Sequence, residues 1–240
     1  MKYQTDLYER YLSTQVEQTA RMGLDRLKEQ LPVYRHYFKR YLPARREARI
    51  VDIGCGHGGF LYYLSESGYS QVVGVDISPE QVAAARAFGG QVSCEDAASF
   101  LSRTPGEFDC IIAIDLLEHI PKENVIPLLR TMHSALAPGG TAVFRTPNAD
   151  GPFGARLRYS DFTHEFALTS VSARQLMANA GFTILCIMGV EPYVHGALSL
   201  MRFILWKAFK LAFKAYLGAE MGTRHGLFTQ NMTIVAAKTA

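Results

Sequence analysis

Between residues 49 and 146 the chain alternates short, nearly unbroken apolar runs with longer segments of helical pattern, and this alternation restricts the fold more than any other feature. Arg49–Gly54, Gln71–Ile77, Gln91–Cys94, Phe108–Asp115 and Thr141–Thr146 read as strands. The longer ones are runs of Val, Ile, Ala or Phe without polar alternation, as in strands covered on both faces. The segments between them carry helix punctuation. Ser78-Pro79-Glu80 offers a cap, a first-turn proline and an acid near the positive helix end. Gly68 can end the helix opening near Gly59, and Pro138-Gly139-Gly140 closes a helix over Lys122–Ala137. Strand–helix alternation at this spacing predicts an α/β fold, a doubly wound and mostly parallel sheet with helices on both faces. Two further strands are expected at Phe182–Val190 and Thr229–Lys238, the last preceded by a helical insertion over 191–228. Residues 3–42 read as helical, with Gly23 and Pro32 as breakers and Pro43 as the stop, giving an N-terminal helical cap over 1–45.

At 240 residues, one decorated domain over 46–240 fits better than two. Hydrophobic residues make up 48% and charged residues 20%, which argues against disorder. A formal charge of +3 is too small to point to nucleic acid. Cys55, Cys94, Cys110 and Cys186 lack C-x-x-C spacing, so unpaired buried thiols in a reducing compartment are expected. The opening MKYQTDLYER has no apolar core of the kind a leader needs, and no uncharged apolar run reaches the ~18 residues of a membrane span. A cytoplasmic location is the resulting expectation.

Val51-Asp52-Ile53-Gly54-Cys55-Gly56-His57-Gly58-Gly59-Phe60 joins the first strand to a helix, and its glycines permit a tight turn and close backbone approach to a ligand. Alone the loop also satisfies the G-x-G-x-x-G of a nicotinamide site. The acids around it narrow the choice. Asp76 ends the second strand, where a carboxylate can accept both hydroxyls of a ribose. Glu95 and Asp96 follow the third, where Asp96 could meet an adenine amine, and Asp52 precedes the glycines, where it can meet an ammonium. All fall on the C-terminal strand edge, where ligands of open α/β sheets bind. A pyrophosphate prefers cations and helix N-termini, so acids here favour a cationic ligand.

With Asp115, Glu118-His119-Ile120 and Ala137-Pro138-Gly139-Gly140, these motifs resemble the ordered motifs of class I S-adenosylmethionine-dependent methyltransferases, closely over 48–148. The resemblance implies a Rossmann-like seven-stranded sheet with an antiparallel last strand. It also implies S-adenosylmethionine as cofactor, bound by Asp52, Gly54, Gly56, Phe60, Asp76, Ile77, Asp96, Ala97, Asp115 and Leu116. Asp52 would neighbour its ammonium, Asp76 hold its ribose, Asp96 and Ala97 frame its adenine, and Asp115 and Leu116 line its methionyl side.

The sulfonium is already a good leaving group, so the protein must align an acceptor and take its proton. Three polar side chains, Asp115, Glu118 and His119, lie within five residues at the end of the fourth strand, and His164 stands in a long connection, 148–168, of lid-like length. His119 and His164 are the candidate general bases. Ubiquinone-biosynthesis O-methyltransferases carry a similar acid-x-x-Glu-His cluster that binds a divalent metal. Small-RNA 2′-O-methyltransferases add a histidine after a Thr-Pro-Asn strand end, as Thr146-Pro147-Asn148 and His164 do here. By that resemblance Asp115, Glu118, His119 and His164 would hold a cation such as Mg²⁺, with Asp115 one methylene shorter than the usual Glu. Arg145, Arg156 and Arg158 could face a phosphate or carboxylate on the acceptor.

Within Ser199–Leu217, Lys207, Lys210 and Lys214 form one stripe among apolar residues, which suits a helix packed on the core, between two subunits, or in a membrane interface on the cytoplasmic side. The stretch Arg158–Thr169 resembles bacterial saccharide methyltransferases. The expected function is O-methylation of a small molecule or saccharide. The alternatives are an inactive methyltransferase-fold binding subunit and a nucleic-acid 2′-O-methyltransferase; against the second stands the lack of an extended basic domain.

Overall fold

The computed structural model describes residues 23–239. Seven strands form one sheet: β1 Arg49–Ile53, β2 Gln71–Asp76, β3 Val92–Cys94, β4 Phe108–Ile114, β5 Leu136–Pro147, β6 Thr183–Gly189 and β7 Asn231–Ala237. Their spatial order is β3-β2-β1-β4-β5-β7-β6. β1 pairs in parallel with both β2 and β4, so the winding reverses at β1, and the crevice that opens at such a reversal lies beyond the C-terminal ends of β1 and β4. β7 alone runs antiparallel, against both β5 and β6.

The helices are α1 Leu24–Phe38, α2 Gly59–Glu66, α3 Pro79–Ala87, α4 Ala97–Ser102, α5 Lys122–Ala135, α6 Gly154–Arg158, α7 Ser170–Asn179 and α8 Ala197–Met221. Alternate residues of the central strands feed two cores. Val51, Ile53, Ile111 and Phe144 pack with Leu129 and Met132 of α5 and Met177 of α7. Ile50, Cys110, Ile112 and Val143 pack on the other face with Phe38 of α1 and Phe60 and Tyr63 of α2. Period-2 alternation with apolar residues at every position is the signature of a sheet buried on both sides.

Several expectations need correction. The helix read through Ala137 ends at Ala135, because the residue before Pro138 is disfavoured in helical conformation. Leu136 already pairs with Phe108, and β5 carries a register shift before Thr141. Gly140 has no room for a side chain there: a Cβ would lie 2.9 Å from the Ala137 carbonyl and 3.0 Å from that of Phe108. At the N-terminus, Gly23 precedes α1, Pro32 lies within it, and a 3₁₀ turn over Lys39–Tyr41 follows. The part of the N-terminal helical reading over 3–22 lies outside the described residues. Cys94 is exposed, since it ends the edge strand β3, while Cys55 and Cys110 are buried; all four thiols are free. The C-terminal helix outruns its expected Ser199–Leu217 and stops at Gly222, whose φ of 70° provides the left-handed terminus.

Candidate functional site

The glycine loop needs its glycines for two reasons. Gly54, Gly56 and Gly58 adopt φ of 71°, 54° and 84°. A Cβ on Gly54 would also stand 2.9 Å from Leu116 Cδ1, so β1 and the loop after β4 close on each other only because position 54 has no side chain. The loop is tied to β2: the amides of Gly54 and Cys55 donate to the Val75 carbonyl at 2.8 and 3.1 Å. Asp76 then accepts from Gly56 N at 2.8 Å and from Ser78 N at 2.9 Å. One carboxylate thereby fixes the loop and the start of α3.

Asp52 is 2% exposed, and burial, reinforced by the neighbouring Asp76, pushes its carboxyl well above the usual range. Burial raises Asp76 as well, against the backbone donors that lower it. Two desolvated carboxyls side by side disfavour each other's charge and favour an incoming cation. A stability prediction follows. The folded chain holds the Asp52 proton to higher pH than the unfolded chain does. The penalty of ionising Asp52 is therefore absent below the unfolded carboxylate pKa, near about 4, and grows as pH rises from there through the raised folded value. In thermal melts without ligand, Asp52→Asn should melt above the parent at pH 8 and the gap should close towards pH 4.5. Equal melting across that range would refute the assignment.

The other predicted ligand residues are distributed unevenly. Asp96 is exposed and caps α4, its Oδ1 accepting from Ser99 N at 2.9 Å. Ile77 is exposed, while Ala97 and Leu116 are half-buried at the same edge. The Phe60 ring is spent on the core, edge-on to Tyr34 and Phe38 at centroid distances of 5.2 and 5.1 Å, so what Phe60 can offer a ligand is its first-turn backbone amide. Sequence reasoning missed three neighbours of the loop. Gln81 is buried under Gly56, and its Oε1 accepts no hydrogen bond among the described residues. Gln30 and Tyr34 of α1 reach over Gly59, within 3.0 and 3.1 Å of where its Cβ would be. Burial pushes the Tyr34 hydroxyl up to about 12, so it stays protonated and able to donate. No local signal marks these residues; the packing of α1 on α2 delivers two of them.

Beyond β4 the polar side chains separate into two groups, which corrects the expected four-ligand set. Asp115, at φ 52°, sits in the left-handed region with its amide on the Arg145 carbonyl at 2.9 Å. That turn aims its carboxylate at Arg145 of β5, which grips it through Nε at 2.9 Å and through Nη2. Burial works against the Arg145 charge, yet Asp115 holds its pKa above the ordinary value. Asp115 is thus committed to an arginine. The remaining three, Glu118, His119 and His164, bring their donor atoms within 4.8 Å of one another. Two of the three candidate arginines are likewise engaged within the protein. Arg145 is on Asp115, Arg158 clamps the carbonyls of His164 and Glu165, the latter at 2.6 Å, and Arg156 is exposed on α6.

The hydrogen bonds determine the imidazole tautomers. Thr163 donates its single hydroxyl proton to Asp161 Oδ1 at 2.6 Å and so faces His119 Nδ1, 2.7 Å away, with a lone pair. His119 therefore carries its proton on Nδ1, and in the neutral ring Nε2 is the basic atom. His164 Nδ1 lies 2.8 Å from the Leu157 carbonyl, which can only accept, so it has the same tautomer. The two rings meet edge to face at 4.6 Å. Burial, then His164, depresses His119 to about 4, so it is neutral at physiological pH. Glu118, 1% exposed, is raised to about 8 by burial and by Asp115, and accepts from Thr146 Oγ1 at 3.1 Å. The connection over 148–168 is stitched at both ends: Asn148 Nδ2 donates to the Leu227 and Thr229 carbonyls at 2.8 and 2.7 Å, and Ala149 N donates to Leu168.

This arrangement joins a cation-favouring pair of buried carboxyls to a cluster of two imidazoles and a carboxyl at one sheet edge. Residues 27–187, more than half of the chain, match the sequence family described as a methyltransferase domain. The chain is a class I S-adenosylmethionine-dependent methyltransferase. Ubiquinone biosynthesis O-methyltransferases of two Xanthomonas species resemble it. That of X. campestris pv. campestris (strain B100) is 32% identical over 107 residues, 42% of this chain and 44% of the relative. That of X. euvesicatoria pv. vesicatoria is 36% identical over 120 residues, 45% and 48%. The methyltransferase thus spans less than half the length of these curated relatives. Among solved structures, an S-adenosylmethionine-dependent methyltransferase from Archaeoglobus fulgidus superposes with a TM-score of 0.65 at 22% identity, covering 90% of this chain and all of that one. Phosphoethanolamine N-methyltransferase 2 of Haemonchus contortus, solved with S-adenosylmethionine, gives 0.60 at 18%, covering 91% and 53%. At these identities the likeness concerns the fold. The doubly wound sheet and the cofactor class expected for this methyltransferase are those of its family.

Proposed function

We propose that this methyltransferase moves the methyl group of S-adenosylmethionine to a hydroxyl oxygen of a small molecule or saccharide, with His119 as general base. The observation that carries the reading is the Asp161–Thr163–His119 chain, which fixes the proton on Nδ1 and makes Nε2 the atom that accepts. An oxygen acceptor needs such a base more than a nitrogen or carbon acceptor does, because a neutral hydroxyl is a poor nucleophile. Asp52 faces the cofactor's ammonium, Asp76 accepts from its ribose, and Asp96 and Ala97 border its adenine. Leu116, with Gly54 and Gly56, forms the floor. When bound, S-adenosylmethionine would supply an electrophilic methyl carbon and would depart as a neutral thioether, while His119 Nε2 takes the proton that the acceptor hydroxyl gives up as its oxygen forms the new bond. The Xanthomonas relatives, named for O-methylation, support the same class.

A second reading rests on the convergence of Glu118, His119 and His164 within 4.8 Å. Two imidazole nitrogens and one carboxylate suit a divalent transition ion better than Mg²⁺, which favours all-oxygen surroundings. When bound, such an ion would lower the pKa of the acceptor hydroxyl. Incubation with labelled S-adenosylmethionine and a panel of phenols and sugars tests the proposal. O-methyl product is expected, and exclusive N- or C-methylation would overturn it. Turnover undiminished by chelator selects the base; loss restored by a divalent ion selects the metal.

A further inference from the structure

The 25-residue helix α8 buries only a narrow side. Ser199 is buried, Phe203, Trp206 and Phe213 are half-buried, and Phe213 stacks on Phe228 at 5.6 Å. At 100° per residue the opposite side carries Leu198, Met201, Ile204, Leu205, Leu211 and Tyr216, with alanines and other apolar residues between them. Leu198, Ile204 and Leu211 are 71%, 60% and 70% exposed. No charged residue falls on that arc from Ala197 to Ala219. The cations lie at its borders, Arg202 on one side and Lys207 and Lys214 on the other, and the helix's single acid, Glu220, stands in its last turn. Glu191 engages Lys207 and Lys210 at 2.6 and 2.5 Å, which anchors the shoulder of the helix to the domain and leaves the apolar arc outward.

We propose that α8 lies in the interface of an anionic lipid bilayer, with its apolar arc among the acyl chains and Arg202 and Lys214 at the phosphates. A contiguous apolar surface of this extent requires a partner. Cations along its borders match lipid phosphates, and the arrangement is that of a helix resting in the interface plane. None of the described helices is long and apolar enough to cross a membrane, so the contact is peripheral. α8 lies in the connection between the C-terminal end of β6 and the start of β7, the connection whose Leu227 and Thr229 carbonyls accept from Asn148 Nδ2.

Cosedimentation of the full chain with vesicles tests this. Binding is expected to vesicles of phosphatidylcholine with one-third phosphatidylglycerol, and at least tenfold weaker binding to phosphatidylcholine alone. Arg202→Gln with Lys214→Gln should weaken the anionic binding by roughly tenfold to thirtyfold, at about 1 kcal/mol per cation. Ile204→Asp with Leu205→Asp should abolish it while leaving S-adenosylmethionine binding intact, which shows that the fold survives. Absence of binding to anionic vesicles overturns the proposal. So does a concentration-dependent dimer in light scattering that the aspartate pair splits, since α8 would then face a second copy.

Discussion

Asp76→Ala should lower the affinity for S-adenosylmethionine by about 100-fold or more in calorimetric titration. The carboxylate has two tasks that no other described side chain shares. It accepts from Gly56 N and Ser78 N, holding the glycine loop against α3, and it is proposed to accept from the two ribose hydroxyls. Hydrogen bonds to a charged acceptor contribute about 1.5–3 kcal/mol each, so losing two to the ligand alone reaches the hundredfold range. Disordering of the loop adds to the loss. Asp76→Asn, which can still accept through its carbonyl oxygen, should fall between the parent and the alanine variant. Affinity within threefold of the parent in a folded alanine variant would remove Asp76 from the cofactor site.

His119→Ala should lower kcat by about 10²–10⁴-fold, the ordinary worth of a positioned general base. The dissociation constant of the cofactor should stay within about threefold, because the imidazole is proposed to serve the acceptor rather than the cofactor. Thr163→Val is the informative companion. It keeps the shape and removes the lone pair that holds Nδ1–H, so the ring loses its fixed tautomer while Nε2 remains. A fall in kcat of about tenfold with an unchanged cofactor constant would identify Thr163 as a positioning residue. Retention of more than a tenth of parental kcat by His119→Ala would transfer the base role elsewhere, with His164 next in line at 4.6 Å between ring centres.

The sheet was readable because its determinants are local. Cys110 to Ala113 is an unbroken apolar run and Ile50 to Ile53 is broken only by Asp52, and a strand covered on both faces accommodates such runs at that length. The acids at strand ends were readable for the same reason: once β1, β2 and β3 are placed, Asp52, Asp76 and Asp96 must reach the same edge. The start of β5 was not readable. Ala137-Pro138-Gly139-Gly140 looks like a helix stop and a family motif, and only the pairing of Leu136 with Phe108 turns it into a bulged strand.

The His-bearing cluster shows the same division more sharply. Its members could be listed from the sequence, but their partners could not. Asp115 was expected beside Glu118, three positions on in the sequence; the register of β4 on β5 gives it to Arg145 instead. Thr163 and Asp161 stand 44 and 42 residues from His119 in sequence, and no periodicity connects them to it. The chain alone determined which elements form, in what order, and which edge carries the acids, because propensity and burial pattern act over a few residues. Tertiary structure decided which side chain holds which proton and which carboxylate a cation can still use, because those outcomes depend on strand register and on loops meeting across the crevice.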